Sequence, residues 1–86
     1  MNFPCPCCGY LTYTGSPPAG DYGICPVCFW EDDPVQAVNP DFEGGANRVS
    51  LNQARGNFQF FRAASLAMKV NVRDPLPEEV PPVETR

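Results

Sequence analysis

Cys5-Pro6-Cys7-Cys8-Gly9 and Cys25-Pro26-Val27-Cys28 share the form C-P-x-C, and they decide how the rest of the chain is read. Sixteen residues lie between Cys8 and Cys25. Two pairs of thiols at i, i+3 spacing match the needs of a tetrahedral metal ion. Each tight turn points two sulfurs the same way, and two such turns close on one zinc at about 2.3 Å per bond. An interval of roughly 15–20 residues between the pairs is the zinc-site pattern, and this interval falls inside it. The metal ligands expected from spacing are therefore Cys5, Cys8, Cys25 and Cys28.

A chain of 86 residues is one domain at most. Its length allows burial of only about 60% of the unfolded surface, so it needs a staple. A structural zinc supplies one, with apparent binding energies on the order of 10–16 kcal/mol coupled to folding. Hydrophobic content of 43%, with 12% aromatic, is globular in character, and eleven prolines with seven glycines point to short elements and many turns. The formal charge is −4. Four thiolates and one dication together take it to about −6. The six cations Arg48, Arg55, Arg62, Lys69, Arg73 and Arg86 are scattered along the second half. An acidic chain without a basic patch repels phosphate backbones, so nucleic-acid binding is disfavoured. Met1-Asn2-Phe3-Pro4 has no secretory character, and no run approaches the roughly 18 apolar residues of a membrane span. Five cysteines in paired C-x2-C form suit a reducing compartment, and a cytoplasmic location is expected.

Beyond the first metal turn, Tyr10-Leu11-Thr12-Tyr13 is rich in strand formers. Gly15 to Gly20 reads as a loop, and Asp21 to Ile24 as a returning strand that delivers Cys25. Asp33-Pro34 opens a short helix with Asp as N-cap and Pro at its first position; Asn39-Pro40 stops it. The strongest helix signal starts at Ser50, where Ser50-Leu51-Asn52-Gln53 is a capping box flanked by Val49 and Ala54 in the staple positions. Leu51, Ala54, Phe58, Phe61 and Ser65 then recur at spacings of three and four, widened by Phe60, Ala64 and Ala67. This pattern sets a helix over about 50–67, with Gly56 marking close packing against the metal turns. From Arg73 the chain holds four prolines and four acidic residues. That composition reads as a disordered tail over 73–86, leaving 1–72 as the folded domain. The fold expected is α+β: a small zinc-ribbon-like antiparallel sheet packed against one C-terminal helix.

Several residues carry two readings. Cys7 is a small buried side chain on the habit of free cysteine, or a reactive thiol beside the metal. Gly9 suits the left-handed exit of a metal turn; Phe29, its counterpart after Cys28, pays a steric penalty there, so the second turn is expected to leave differently and feed Trp30 into the core. Glu31-Asp32-Asp33 reads as a solvated acidic face with a helix cap, or as a partner-facing patch. Gly44-Gly45-Ala46-Asn47 lacks the ending of a phosphate loop and reads as a turn needing positive φ.

Two resemblances attach to these residues. Cys5-Pro6-Cys7-Cys8-Gly9-Tyr10 and Cys25-Pro26-Val27-Cys28 resemble the metal turns of rubredoxins and zinc ribbons, with a shorter interval than rubredoxin and no glycine after Cys28. The longer match resembles the cysteine-rich CPCC family of small bacterial proteins. It is carried by Cys5 to Gly9, by Tyr22 through Asp33, and by Pro40-Asp41, Gly44 to Asn47, Ser50-Leu51, Ala54-Arg55 and Asn57-Phe58. That resemblance implies a compact cytoplasmic domain whose metal turns pack on the downstream helix.

The chain contains no histidine, which removes the commonest general base. A closed four-thiolate site has no open coordination position. Enzymatic activity is not expected. The leading expectation is a monomeric, zinc-stabilised interaction module whose acidic charge speeds association with a basic protein partner, as an inhibitor or immunity-type protein would. The alternatives are redox or metal handling through Cys7 or an iron-loaded site, and a nucleic-acid-binding ribbon.

Overall fold

The computed structural model describes residues 2–82. The fold is α+β: two two-residue strands, two α-helices and short 3₁₀ turns. Strand β1 (Asn2–Phe3) pairs antiparallel with β2 (Tyr13–Thr14), with Asn2 opposite Thr14 and Phe3 opposite Tyr13. Helix α1 spans Pro34–Val38 and α2 spans Leu51–Phe61. A six-residue 3₁₀ segment, Leu66–Asn71, follows α2, and a second covers Pro77–Glu79.

Pairing differs from the expected arrangement, in which Tyr10–Tyr13 would pair with Asp21–Ile24. Each metal turn instead sits at the tip of its own hairpin. The first is closed by Phe3 opposite Tyr13 and by the Cys5 N–H donating to the Tyr10 carbonyl at 2.9 Å. The second is closed by a bridge between Ile24 and Glu31 and by the Cys25 N–H donating to the Trp30 carbonyl at 3.0 Å. The reason is local: residues on either side of a four-residue turn are already neighbours, and this closure costs little loop entropy.

Both helix starts form as the sequence indicates. Asp33 Oδ1 accepts from the Val35 and Gln36 amides, with Pro34 in the first turn. Ser50 and Gln53 form a reciprocal capping box. The end of α2 does not follow the periodicity. The helix stops at Phe61 because Arg62 turns left-handed, with φ 60 and ψ 33, while its N–H still reaches the Phe58 carbonyl. The Ala64 amide then donates to the Cys28 carbonyl at 2.7 Å, and Asn57 holds the Ala64 carbonyl. Docking Ala64 on the second metal turn outcompetes one more helical turn. Of the widened stripe, Phe60 and Ala67 are exposed, and Gly56 has open space where a Cβ would stand, not a packed neighbour.

One core unites the two metal turns with α2. Cys5, Cys7, Cys25, Val27, Cys28 and Trp30 pack with Leu51, Ala54, Phe58 and Ala64. A second, polar core lies beneath α1. Gln36 is wholly buried, its Nε2 facing the carbonyls of Phe42, Asn47 and Val49 at 2.9–3.1 Å. Its Oε1 accepts from Asn47, whose side chain also clamps both backbone groups of Glu31. This loop demands its glycines: Gly44 has φ +85, and a Cβ on Gly45 would meet Asp33 Oδ2 at 2.6 Å.

The stretch from Arg73 is docked where the sequence suggested a loose tail. The Arg73 amide donates to the Pro26 carbonyl, the Leu11 amide donates to the Glu79 carbonyl at 2.7 Å, and Glu79 is buried in an ion pair with Arg73. These bonds offset the ordering entropy that composition alone could not. The remainder of that expectation, residues 83–86, lies outside the described residues.

Candidate metal centre

Four sulfurs converge from the two hairpin tips. Those of Cys5, Cys8, Cys25 and Cys28 all lie within 4.8 Å of one another. Cys5 Sγ is 3.6 Å from Cys28 Sγ, and Cys8 Sγ is 3.7 Å from Cys25 Sγ. Ligands at about 2.3 Å from a tetrahedral centre stand about 3.8 Å apart, so these spacings fit a single zinc-sized ion. The donor set also fits by chemistry, since thiolates suit zinc and iron. The four residues named from spacing are thus the four positioned to hold a metal ion.

The turns build this geometry by near-repetition. In each, the residue after the second cysteine donates its amide to the first cysteine's carbonyl, Gly9 to Cys5 at 2.9 Å and Phe29 to Cys25 at 2.7 Å. Phe29 adopts φ 68, so the second turn leaves as the first does and corrects the expectation of a different exit. Trp30 is buried in the core as expected. Backbone amides then aim at sulfur: Cys7 N–H at Cys5 and Trp30 N–H at Cys28, each at 3.4 Å. The Thr12 hydroxyl donates to Cys25 at 3.1 Å. Such donors favour the thiolate form. Nothing in the spacing singles out Thr12, which the sequence offers only as one of a run of strand formers.

Crowding decides how the four thiols ionise. Cys25 is pulled far below its usual range, chiefly by the Cys28 thiol donating to it. Cys5 and Cys8 are pushed far up, chiefly by their hydrogen bonds to Cys25, and Cys28 is pushed up for the same reason. A cation at the centre inverts that logic and deprotonates coordinating thiols.

Cys7 corresponds in the first turn to Val27 in the second, each standing between the paired cysteines. Both are buried in the same core, so Cys7 occupies the place of a small apolar side chain. The acidic run departs from the expected solvated face. Asp32 and Asp33 are buried, with Asp32 Oδ2 accepting the Gly20 amide and Asp33 Oδ2 accepting the Ala46 amide at 2.8 Å. The Ala46 bond, above all, holds the Asp33 carboxyl below its ordinary value. These carboxylates are committed to folding the loops.

Among the described residues, no helix is long and apolar enough to cross a membrane. A protein-family model described as Cysteine-rich CPCC matches residues 3–79. That span takes in both hairpins, both helices and the docked Arg73–Glu79 segment. No curated protein matches the chain.

Proposed function

The chain belongs to the cysteine-rich CPCC family, and from that premise we propose that it is a zinc-stabilised module that binds a protein partner in a reducing, cytoplasmic setting. The observation that carries this reading is the spacing of the four sulfurs, which suits a closed tetrahedral site. Zinc held by four thiolates exposes no vacant position and acts as a structural rivet. Cys5, Cys25 and Cys28 are buried, which also keeps the ion from solvent. The chemistry left to such a protein is recognition, through its surface.

Two features support a partner. The net charge of −4 favours encounter with a basic surface. Phe60, Leu66 and Val70 stand 83%, 61% and 88% exposed on α2 and the 3₁₀ segment that packs against it. Large apolar side chains left open to solvent are candidates for contact with a partner.

Metal analysis of protein purified under reducing conditions tests the first half. One zinc per colourless chain supports it, whereas a red chain with one iron replaces it with an electron-transfer site. Affinity capture from the native host, repeated with Phe60→Ser and Val70→Ser, tests the second half. A partner retained by the wild type and lost by both variants supports it; no partner, or one indifferent to both changes, rejects it.

A further inference from the structure

Three of the cations scattered along the sequence meet in three dimensions. Arg62, Lys69 and Arg73 line one open cleft of about 400 Å³ beyond the C-terminal end of α2. Val27, Phe61 and Val72 form apolar parts of its wall. Asp74 is its one lining carboxylate. None of the five cysteines, nor Phe60, lines the cleft.

Among the described residues the only ion pair joins Arg73 to Glu79, with guanidinium-to-carboxylate contacts of 2.8 and 2.9 Å. Arg73 is therefore neutralised in place. Arg62 and Lys69 have no carboxylate partner within the described residues. Arg62 lies 4.4 Å from the Phe58 ring centre and gives one donor to the Tyr10 hydroxyl. Lys69 gives one donor to the Phe61 carbonyl. Most of their donors stay available, since a guanidinium carries five and an ammonium three. Capping the end of α2 accounts for part of this placement, because cations favour a helix C-terminus. It does not account for the open space in front of them, which Phe61 and Val72 line in part.

We infer that this cleft binds a carboxylate borne on an apolar body, its charge met by Arg62 and Lys69 and its body by Phe61 and Val72. With Arg73 paired to Glu79 and Asp74 as the one lining carboxylate, Arg62 and Lys69 leave the lining itself one positive charge in excess, which a monoanion balances. Phe61 and Val72 give an apolar body a surface to pack on, which a small hydrated anion does not use. Two sources share this chemistry: a free aliphatic acid, and the C-terminal end of a peptide finishing in an apolar residue.

The test is an amide-resolved NMR titration of the metal-loaded full chain. Hexanoate probes the free acid, and acetyl-glycyl-leucine probes the peptide end, against hexanol, acetyl-glycyl-leucinamide and inorganic phosphate as controls. Saturating shifts centred on Phe61, Arg62, Lys69, Val72 and Arg73 with either carboxylate support the inference, and the tighter of the two names the source. Lys69→Gln and Arg62→Gln each weaken binding roughly five- to tenfold, as loss of a charge-assisted hydrogen bond should. Arg48→Gln, away from the cleft, leaves it unchanged. Lys69 is exposed, so its variant remains informative even where Arg62→Gln perturbs the end of α2. The inference is overturned by absent saturation with both carboxylates, by equal binding of the neutral controls, by tighter binding of phosphate, or by indifference to Lys69→Gln.

Discussion

Gly9 and Phe29 hold the same place in the two metal turns: each follows the second cysteine of its pair, with φ 81 and φ 68, and each donates its amide to the first cysteine's carbonyl. One position uses the residue that adopts this conformation freely; the other uses one that does not. No neighbour stands within 4 Å of where a Cβ on Gly9 would lie. Gly9→Ala should therefore cost about 1 kcal/mol, the left-handed penalty alone. Phe29→Gly should fall within about 1 kcal/mol of wild type, strain relief offsetting lost apolar contact. Chemical denaturation of the metal-loaded variants measures both; a Gly9→Ala loss several times larger would show that the turn needs more than a backbone angle.

The equivalence of Cys7 with Val27 separates the fifth thiol from the other four. Cys7→Ser should keep one metal per chain and lose about 1–2 kcal/mol for a hydroxyl in an apolar core. Cys7→Val should be tolerated better. Cys8→Ser should lower metal affinity sharply, because it removes one of the four converging sulfurs. Competition with a chromogenic chelator reads each case, and equal weakening by Cys7→Ser and Cys8→Ser would place Cys7 among the ligands.

Gln36 carries the polar core beneath α1. Gln36→Leu would leave the Phe42, Asn47 and Val49 carbonyls and the Asn47 backbone amide without a partner. The expected cost is about 3 kcal/mol or more, since several buried polar groups lose their bonds together. Denaturant midpoints decide it, and a loss under about 1 kcal/mol would mean that water replaces the amide.

How far the sequence reached follows from the range of each interaction. Each pair of metal ligands, the Asp33 cap and the Ser50–Gln53 box are set by residues within four positions of one another, so local spacing exposes them. The end of α2 is set by Ala64 docking on Cys28, the 73–79 segment by Leu11 and Pro26, and the acidic run by amides from Gly20 and Ala46. Those partners are distant in sequence, and periodicity or charge pattern holds no trace of them. Arg62, Lys69 and Arg73 look dispersed for the same reason.

Acid should loosen both the docked segment and the Asp33 cap. Glu79 is held below its ordinary value of 4.5, chiefly by the Arg73 guanidinium, and Asp33 below 3.8, chiefly by the Ala46 amide. A depressed carboxyl contributes stability above its unfolded pKa and loses it as pH falls through the folded one. Glu79→Gln should thus cost about 1 kcal/mol at pH 7, and the gap to wild type should narrow below about pH 4.5. Urea unfolding at several pH values, with bound metal monitored at each, checks this. A gap that stays constant into acid would mean that the charge on Glu79 adds nothing.

The central claim is that four cysteines from two hairpin tips enclose one ion. X-ray absorption at the metal edge of the purified, metal-loaded chain tests it most directly. The result expected is four sulfur scatterers at about 2.3 Å and no oxygen or nitrogen neighbour. Three or fewer sulfurs, or a light-atom ligand in the first shell, would contradict it.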